Sequence, residues 1–105
     1  MKAIEHDELK KKLNSDDDFV LIDVLGEESY EDSHLPGAIN IPLSRIGREA
    51  KNRFDEDEEI VVYCGSYECD ASPQAAEKLE KLGFEKVYDY EGGKKEWREQ
   101  GYGLQ

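Results

Sequence analysis

Ile60-Val61-Val62-Tyr63-Cys64-Gly65-Ser66-Tyr67-Glu68-Cys69-Asp70-Ala71-Ser72-Pro73 is the stretch on which the fold turns. Its first four residues are β-branched or aromatic and follow the acidic run Asp55-Glu56-Asp57-Glu58-Glu59, so they read as a strand buried on both faces. Ser72 followed by Pro73 reads as a helix start, because a hydroxyl can cap free backbone N–H groups and proline suits the first helical position. Ala75, Leu79 and Leu82 continue at i, i+4 and i+7, with Gly83 as the stop signal. The spacing predicts a helix from about Pro73 to Leu82.

Outward from this stretch, the pattern repeats. Phe19-Val20-Leu21-Ile22 is a second short apolar run, and Ala3-Ile4, Ala38-Ile39-Asn40 and Lys86-Val87-Tyr88 are weaker strand candidates. Leu9 and Leu13 stand four apart, as on one face of a helix, and Gly92-Gly93 makes a turn into a last helix carrying Trp97. Strands alternating with helices predict an α/β domain of three layers, with a mainly parallel sheet covered on both faces. A chain of 105 residues without repeat or linker makes one domain over residues 1–105.

Asp and Glu total 26 against 14 Lys and Arg, for a net charge of -12. That field argues against nucleic acid and against anionic membranes as partners. No apolar stretch approaches the roughly 20 residues of a membrane span, and Met1-Lys2-Ala3-Ile4-Glu5-His6 lacks the apolar region of a signal peptide. The sequence therefore predicts a soluble, cytoplasmic chain. In a reducing compartment, cysteines such as Cys64 and Cys69 are more often reactive or metal-binding than structural. A disulfide between residues so close would close only a short loop.

In open α/β sheets, ligands bind beyond the carboxyl ends of the strands, and Cys64 directly follows one. Gly65, Ser66, Tyr67, Glu68, Cys69, Asp70 and Ala71 then cross to the helix. Successive N–H groups in such a loop form an anion-binding concavity, and the helix terminus adds positive potential. A thiolate or persulfide on Cys64 would be stabilised there, with a lowered thiol pKa. By position alone, Cys64 is equally a small buried hydrophobe ending a core strand.

Leu21-Ile22-Asp23-Val24, His34-Leu35-Pro36-Gly37-Ala38-Ile39-Asn40-Ile41-Pro42, Val61-Val62-Tyr63-Cys64, Ala75-Ala76, Leu82-Gly83-Phe84 and Gly92-Gly93 with Trp97 together resemble the rhodanese family, in the family's order and over nearly the whole chain. The resemblance implies a five-stranded parallel sheet between helices, with the catalytic cysteine opening the loop after the fourth strand. Cys64 occupies that place. The implied reaction moves sulfane sulfur from a donor such as thiosulfate, through a persulfide on Cys64, to a thiol or cyanide, with no cofactor and no metal. The segment Gly65 to Ala71 would contact the substrate.

The sequence also departs from that pattern. Many active members carry Arg or Lys five residues after the cysteine, where this chain has Cys69, and Leu25 stands where an arginine usually follows the Asp-Val pair. The loop is about two residues longer than usual, has no basic residue, and carries Glu68 and Asp70. A thiol persulfide, a polysulfide or a persulfide-carrying partner protein would suffer less repulsion than thiosulfate, a dianion. The missing cations also weigh against phosphatase or arsenate-reductase chemistry, which needs preorganised positive charge.

Asp23 is expected to serve mainly as a hydrogen-bonding structural residue, and His34 to stabilise a turn. Tyr90 and Trp97 read as core, and Lys94 and Lys95 as candidates for the acceptor side. Cys64, Cys69, His6 and His34 lack a structural-zinc spacing. Two functions follow. One is a sulfurtransferase working through Cys64, with Cys69 as a possible resolving thiol that is not needed to form the persulfide. The other is a noncatalytic binding or redox-regulatory module.

Overall fold

Side chains on successive strand residues point to opposite faces, and here that alternation divides the apolar residues between two cores. The computed structural model covers residues 1–105. In chain order the elements are β1 (Lys2–Ala3), α1 (His6–Leu13), β2 (Val20–Asp23), α2 (Glu27–Asp32), β3 (Ile39–Asn40), a 3-10 turn (Leu43–Arg45), α3 (Ile46–Arg53), β4 (Glu59–Tyr63), α4 (Ala71–Lys81), β5 (Lys86–Tyr90) and α5 (Gly93–Glu99). All five strands pair in parallel, in the order β1-β5-β4-β2-β3. The α/β class and the five-stranded sheet expected from the sequence are both present.

Ile60, Val62 and, just beyond the strand, Cys64 share one core with Ile22, Val24, Ile46 and Ala50 of α3, and Ala75, Ala76 and Leu79 of α4. Val61 and Tyr63 share the other with Leu21, Leu9 of α1, Tyr90, and Trp97 of α5. Both faces of β4 are thereby closed to water, which is why its sequence runs apolar without interruption.

Two local expectations change. α4 begins at Ala71, two residues earlier than the Ser72-Pro73 reading. Pro73 is tolerated there because first-turn N–H groups have no helical acceptor to lose. Asp70 occupies the N-cap position without a capping side chain, and Ser72 turns inward instead of capping. At the other end, Gly83 adopts φ +102° and stops the helix as its type predicts. α2 and α3 had no counterpart in the sequence reading: α2 buries no residue, and α3 buries only Ile46 and Ala50. No helix is long and apolar enough to cross a membrane.

Candidate active site

From β2 the chain moves outward to β3, then returns across β2 to β4 and proceeds the opposite way to β5. The carboxyl ends of β2 and β4 therefore flank the point where the topology reverses, the usual place for a crevice. Cys64 sits there, one residue past the end of β4.

The loop after Cys64 is held from below by the turn into α5. The Lys94 N–H donates to Cys64 O at 3.1 Å and the Lys95 N–H to Gly65 O at 2.9 Å. Gly93, at φ +63°, makes this approach possible, because a Cβ there would collide with Cys64 O and lie 2.8 Å from Gly65 C and 2.9 Å from Ser66 N. Above the turn, Glu96 receives the Tyr67 hydroxyl on one carboxylate oxygen and the Tyr90 hydroxyl on the other, each at 2.9 Å. This clamp pushes the Tyr67 phenol up to about 12. Within the loop the Cys69 N–H donates to Ser66 O, whereas the amides of Gly65, Ser66 and Tyr67 make no hydrogen bond inside the protein.

Cys64 and Cys69 are joined as a disulfide, with Cα atoms 6.4 Å apart. The expected thiol at the loop mouth is thus corrected: Cys64 is 1% exposed, and the half-buried Cys69 closes it off. Ser72 Oγ stands 3.5 Å from Cys64 Sγ. A disulfide sulfur carries no proton, so the hydroxyl is the donor in that contact.

Behind Ser72 lies Asp89 of β5. Strand alternation places it on the α4 side, in register with Val62 and two residues beyond Val87. It is 2% exposed and neither carboxylate oxygen makes a hydrogen bond. Burial raises its pKa; the Ser72 hydroxyl, near but outside hydrogen-bond geometry, acts the other way. Sequence reasoning missed both residues in this setting, since Ser72 carried the mark of a cap and Asp89 that of an ordinary polar position in Tyr88-Asp89-Tyr90.

Asp23 is also buried, but fully paired. Its Oδ1 accepts the Leu25 N–H and its Oδ2 the Tyr63 hydroxyl, both at 2.9 Å, while the Leu35 N–H donates to the Tyr63 oxygen at 3.0 Å. Desolvation nonetheless leaves its pKa raised. His34 stacks on Tyr30, with Nδ1 2.9 Å from Tyr30 O, and His6 Nδ1 meets the Tyr102 hydroxyl. Neither histidine gathers with the cysteines, and no group of three or more His, Cys, Asp or Glu stands together as a metal site.

Lys94 is not at the acceptor side: its ammonium is spent on Ser29 O, Ser29 Oγ and Ser33 O, at 2.8, 2.9 and 2.6 Å, tying α5 to α2. Lys95 does approach the loop, lining a cleft of about 80 Å³ with Ser66, Tyr67, Glu68 and Glu99. Its charge helps hold Glu68 below the usual carboxylate range, after the Ser66 hydroxyl that Glu68 accepts at 2.9 Å. The largest hollow, about 390 Å³ between α1 and Tyr88, includes no residue of the cysteine loop. The cysteine loop, with Lys95 at its edge and Ser72 beside Cys64, is the candidate site.

A five-stranded parallel sheet with the cysteine loop opening beside its switch point is the architecture the rhodanese resemblance implied. The Rhodanese-like domain model matches residues 5–100, and the chain belongs to that family. It is 36% identical to YrkF of Bacillus subtilis, a candidate sulfur carrier protein, over 84% of this chain and 46% of that protein, so it spans less than half of that relative. It is 32% identical to the thiosulfate sulfurtransferase GlpE of Coxiella burnetii, over 77% of this chain and 73% of GlpE. Among solved structures, the BH2092 protein of Bacillus halodurans is similar at a TM-score of 0.91 and 27% identity, covering 99% of this chain and 76% of that one.

Proposed function

We propose that the chain is a sulfurtransferase whose reduced Cys64 accepts sulfane sulfur and passes it to a thiol. The carrying observation is the position of Cys64 one residue past the carboxyl end of central β4, opening a loop in which the Gly65, Ser66 and Tyr67 amides make no hydrogen bond inside the protein. The Cys64 thiolate attacks the outer sulfur of a persulfide, polysulfide or thiosulfate; the donor's sulfur–sulfur bond breaks, and the leaving thiolate or sulfite carries away the electron pair. An acceptor thiolate then takes the outer sulfur, and Cys64 leaves as thiolate. Small thiol persulfides or a persulfide-carrying protein suit the acidic loop better than thiosulfate.

The disulfide favours a second outcome at the same site. A Cys69 thiolate attacks the inner sulfur of the Cys64 persulfide, expelling hydrosulfide and leaving the Cys64–Cys69 bond. The sulfane sulfur is reduced as the two thiols are oxidised, and a thiol or dithiol must reopen the pair. Such a cycle suits a reducing compartment, the cytoplasm.

Intact mass tests this. Reduced protein incubated with an organic persulfide is expected to gain one sulfur that cyanide removes, and Cys64→Ser to gain none. Cys69→Ser should gain it and hold it longer. No adduct with persulfide, polysulfide or thiosulfate overturns the transferase and leaves a binding or redox module.

A further inference from the structure

A buried carboxylate without a partner is costly, and chains keep such groups chiefly where chemistry uses them. Asp89 is the clearest case in this molecule. It is 2% exposed, and both its oxygens lack hydrogen bonds. Ser72, itself 1% exposed, places its hydroxyl 3.5 Å from the Cys64 sulfur and near enough to Asp89 to act on its carboxyl.

In the disulfide the Cys64 sulfur has no proton and can only accept, so the Ser72 hydroxyl that donates to it leaves its oxygen free to accept from a protonated Asp89 carboxyl. When Cys64 is a thiol, the S–H can donate to Ser72 Oγ and the Ser72 O–H is released toward the carboxylate. When Cys64 is a thiolate, a second negative charge one hydroxyl away is disfavoured, so the acid and the thiol share one proton.

We propose that Asp89, acting through Ser72, is the proton-holding residue behind Cys64, storing the proton while the Cys64–Cys69 disulfide exists and presenting it to Cys64 as the disulfide opens. Cys69 is the more exposed sulfur, so an incoming dithiol, as thiolate, attacks Cys69. The Cys64–Cys69 bond breaks with its electron pair on Cys64, and the Asp89 carboxyl proton is shared with that thiolate through Ser72. The second thiol of the reagent, its proton given to water, attacks the mixed disulfide. Cys69 leaves as thiolate and takes a proton from water. The dithiol ends as a disulfide and the protein as two thiols.

Other groups do not supply this proton. In register with Asp89, β4 presents Val62 and β1 presents Ala3, and α4 presents Ser72. Beyond these, Glu91 is the titratable neighbour whose charge acts on Asp89, and it opposes ionisation. Asp89 is therefore a positioning residue for the leaving thiolate and does not itself touch sulfur.

The inference rests on Cys64 as the reacting sulfur, the same site as the proposed transfer, but its test contains no sulfur donor, so failure of transfer and failure of the proton path are separable. Oxidised wild type, Asp89→Asn and Ser72→Ala are opened by excess dithiothreitol across about pH 4 to 9, with rates divided by the reagent's thiolate concentration. Wild type should open about tenfold faster below the Asp89 titration than above it, since an ionised Asp89 repels the leaving thiolate. Asp89→Asn should show no such step, and Ser72→Ala should reduce it. Urea unfolding of each variant, run alongside, reports any loss of structure, which would shift rates at all pH values alike. A step of wild-type size and position in Asp89→Asn overturns the proposal.

Discussion

Asp23 at the end of β2 and Asp89 near the end of β5 are both buried acids in one sheet, yet the protein treats them oppositely. Each has a pKa raised by desolvation. Asp23 compensates with the Leu25 N–H and the Tyr63 hydroxyl, and through Tyr63 it fixes the backbone at Leu35. Asp89 has no such partners. Burial alone therefore does not separate a structural acid from a chemical one; the partner list does. Asp23 stiffens the turn after β2, one wall of the crevice, while Asp89 keeps unused hydrogen-bonding capacity beside the sulfur.

The widest separation should appear in stability. Asp23→Ala strands the part-buried Leu25 N–H and the donor side of the buried Tyr63 hydroxyl and is expected to cost about 2 to 3 kcal/mol in urea unfolding. Asp89→Asn removes the cost of ionising a buried carboxyl, with little change of volume, and is expected to add about 1 kcal/mol above the pH at which Asp89 ionises. If both substitutions destabilise equally, Asp89 has partners in solution and the contrast fails.

Acid titration sharpens the same contrast. A carboxyl with a raised folded-state pKa binds its proton more tightly folded than unfolded. The stability it contributes is full below the unfolded value near 3.8 and is lost as pH rises through the folded value. Asp89→Asn should therefore lose less stability than wild type as pH rises from about 4 toward neutrality. Urea midpoints at several pH values check this; parallel curves would mean that Asp89 does not titrate in that interval.

The sheet was legible because Ile60-Val61-Val62-Tyr63 is buried on both sides, so its composition alone reports its environment. The place of Cys64 one residue past β4 was legible from the same run, but position alone left it equally a buried hydrophobe, and its part in chemistry came from the rhodanese resemblance. α2 was not, since Glu27-Glu28-Ser29-Tyr30-Glu31-Asp32 buries nothing and has no apolar stripe to read. Ser72 was misread because a serine before proline carries a local capping signal, and tertiary contact with Cys64 overrode it. Lys94 depends on Ser29, 65 residues away, and the setting of Asp89 on Ser72, 17 residues away, whose hydroxyl acts on its carboxyl without a hydrogen bond. No local pattern encodes either.

The smallest effect concerns acids outside the core. Glu68, Glu96 and Glu99 border the cleft where Lys95 is the one cation, and the Ser66 hydroxyl and Lys95 hold Glu68 ionised below the usual carboxylate range. These charges face water, so salt screens them: the screening length falls from about 10 Å at 0.1 M to about 3 Å at 1 M. Asp89 is enclosed by protein and is screened far less. Thiosulfate turnover by the reduced protein, a dianion meeting this rim, should accordingly rise about threefold over that range of salt, and a persulfide of lower charge should respond less. Asp89→Asn should keep the same rise, whatever its absolute rate, whereas Glu68→Gln should flatten it. Turnover that falls with added salt would show that Lys95 outweighs the acidic rim, and a rise lost in Asp89→Asn would place the repulsion in the core instead of at the surface.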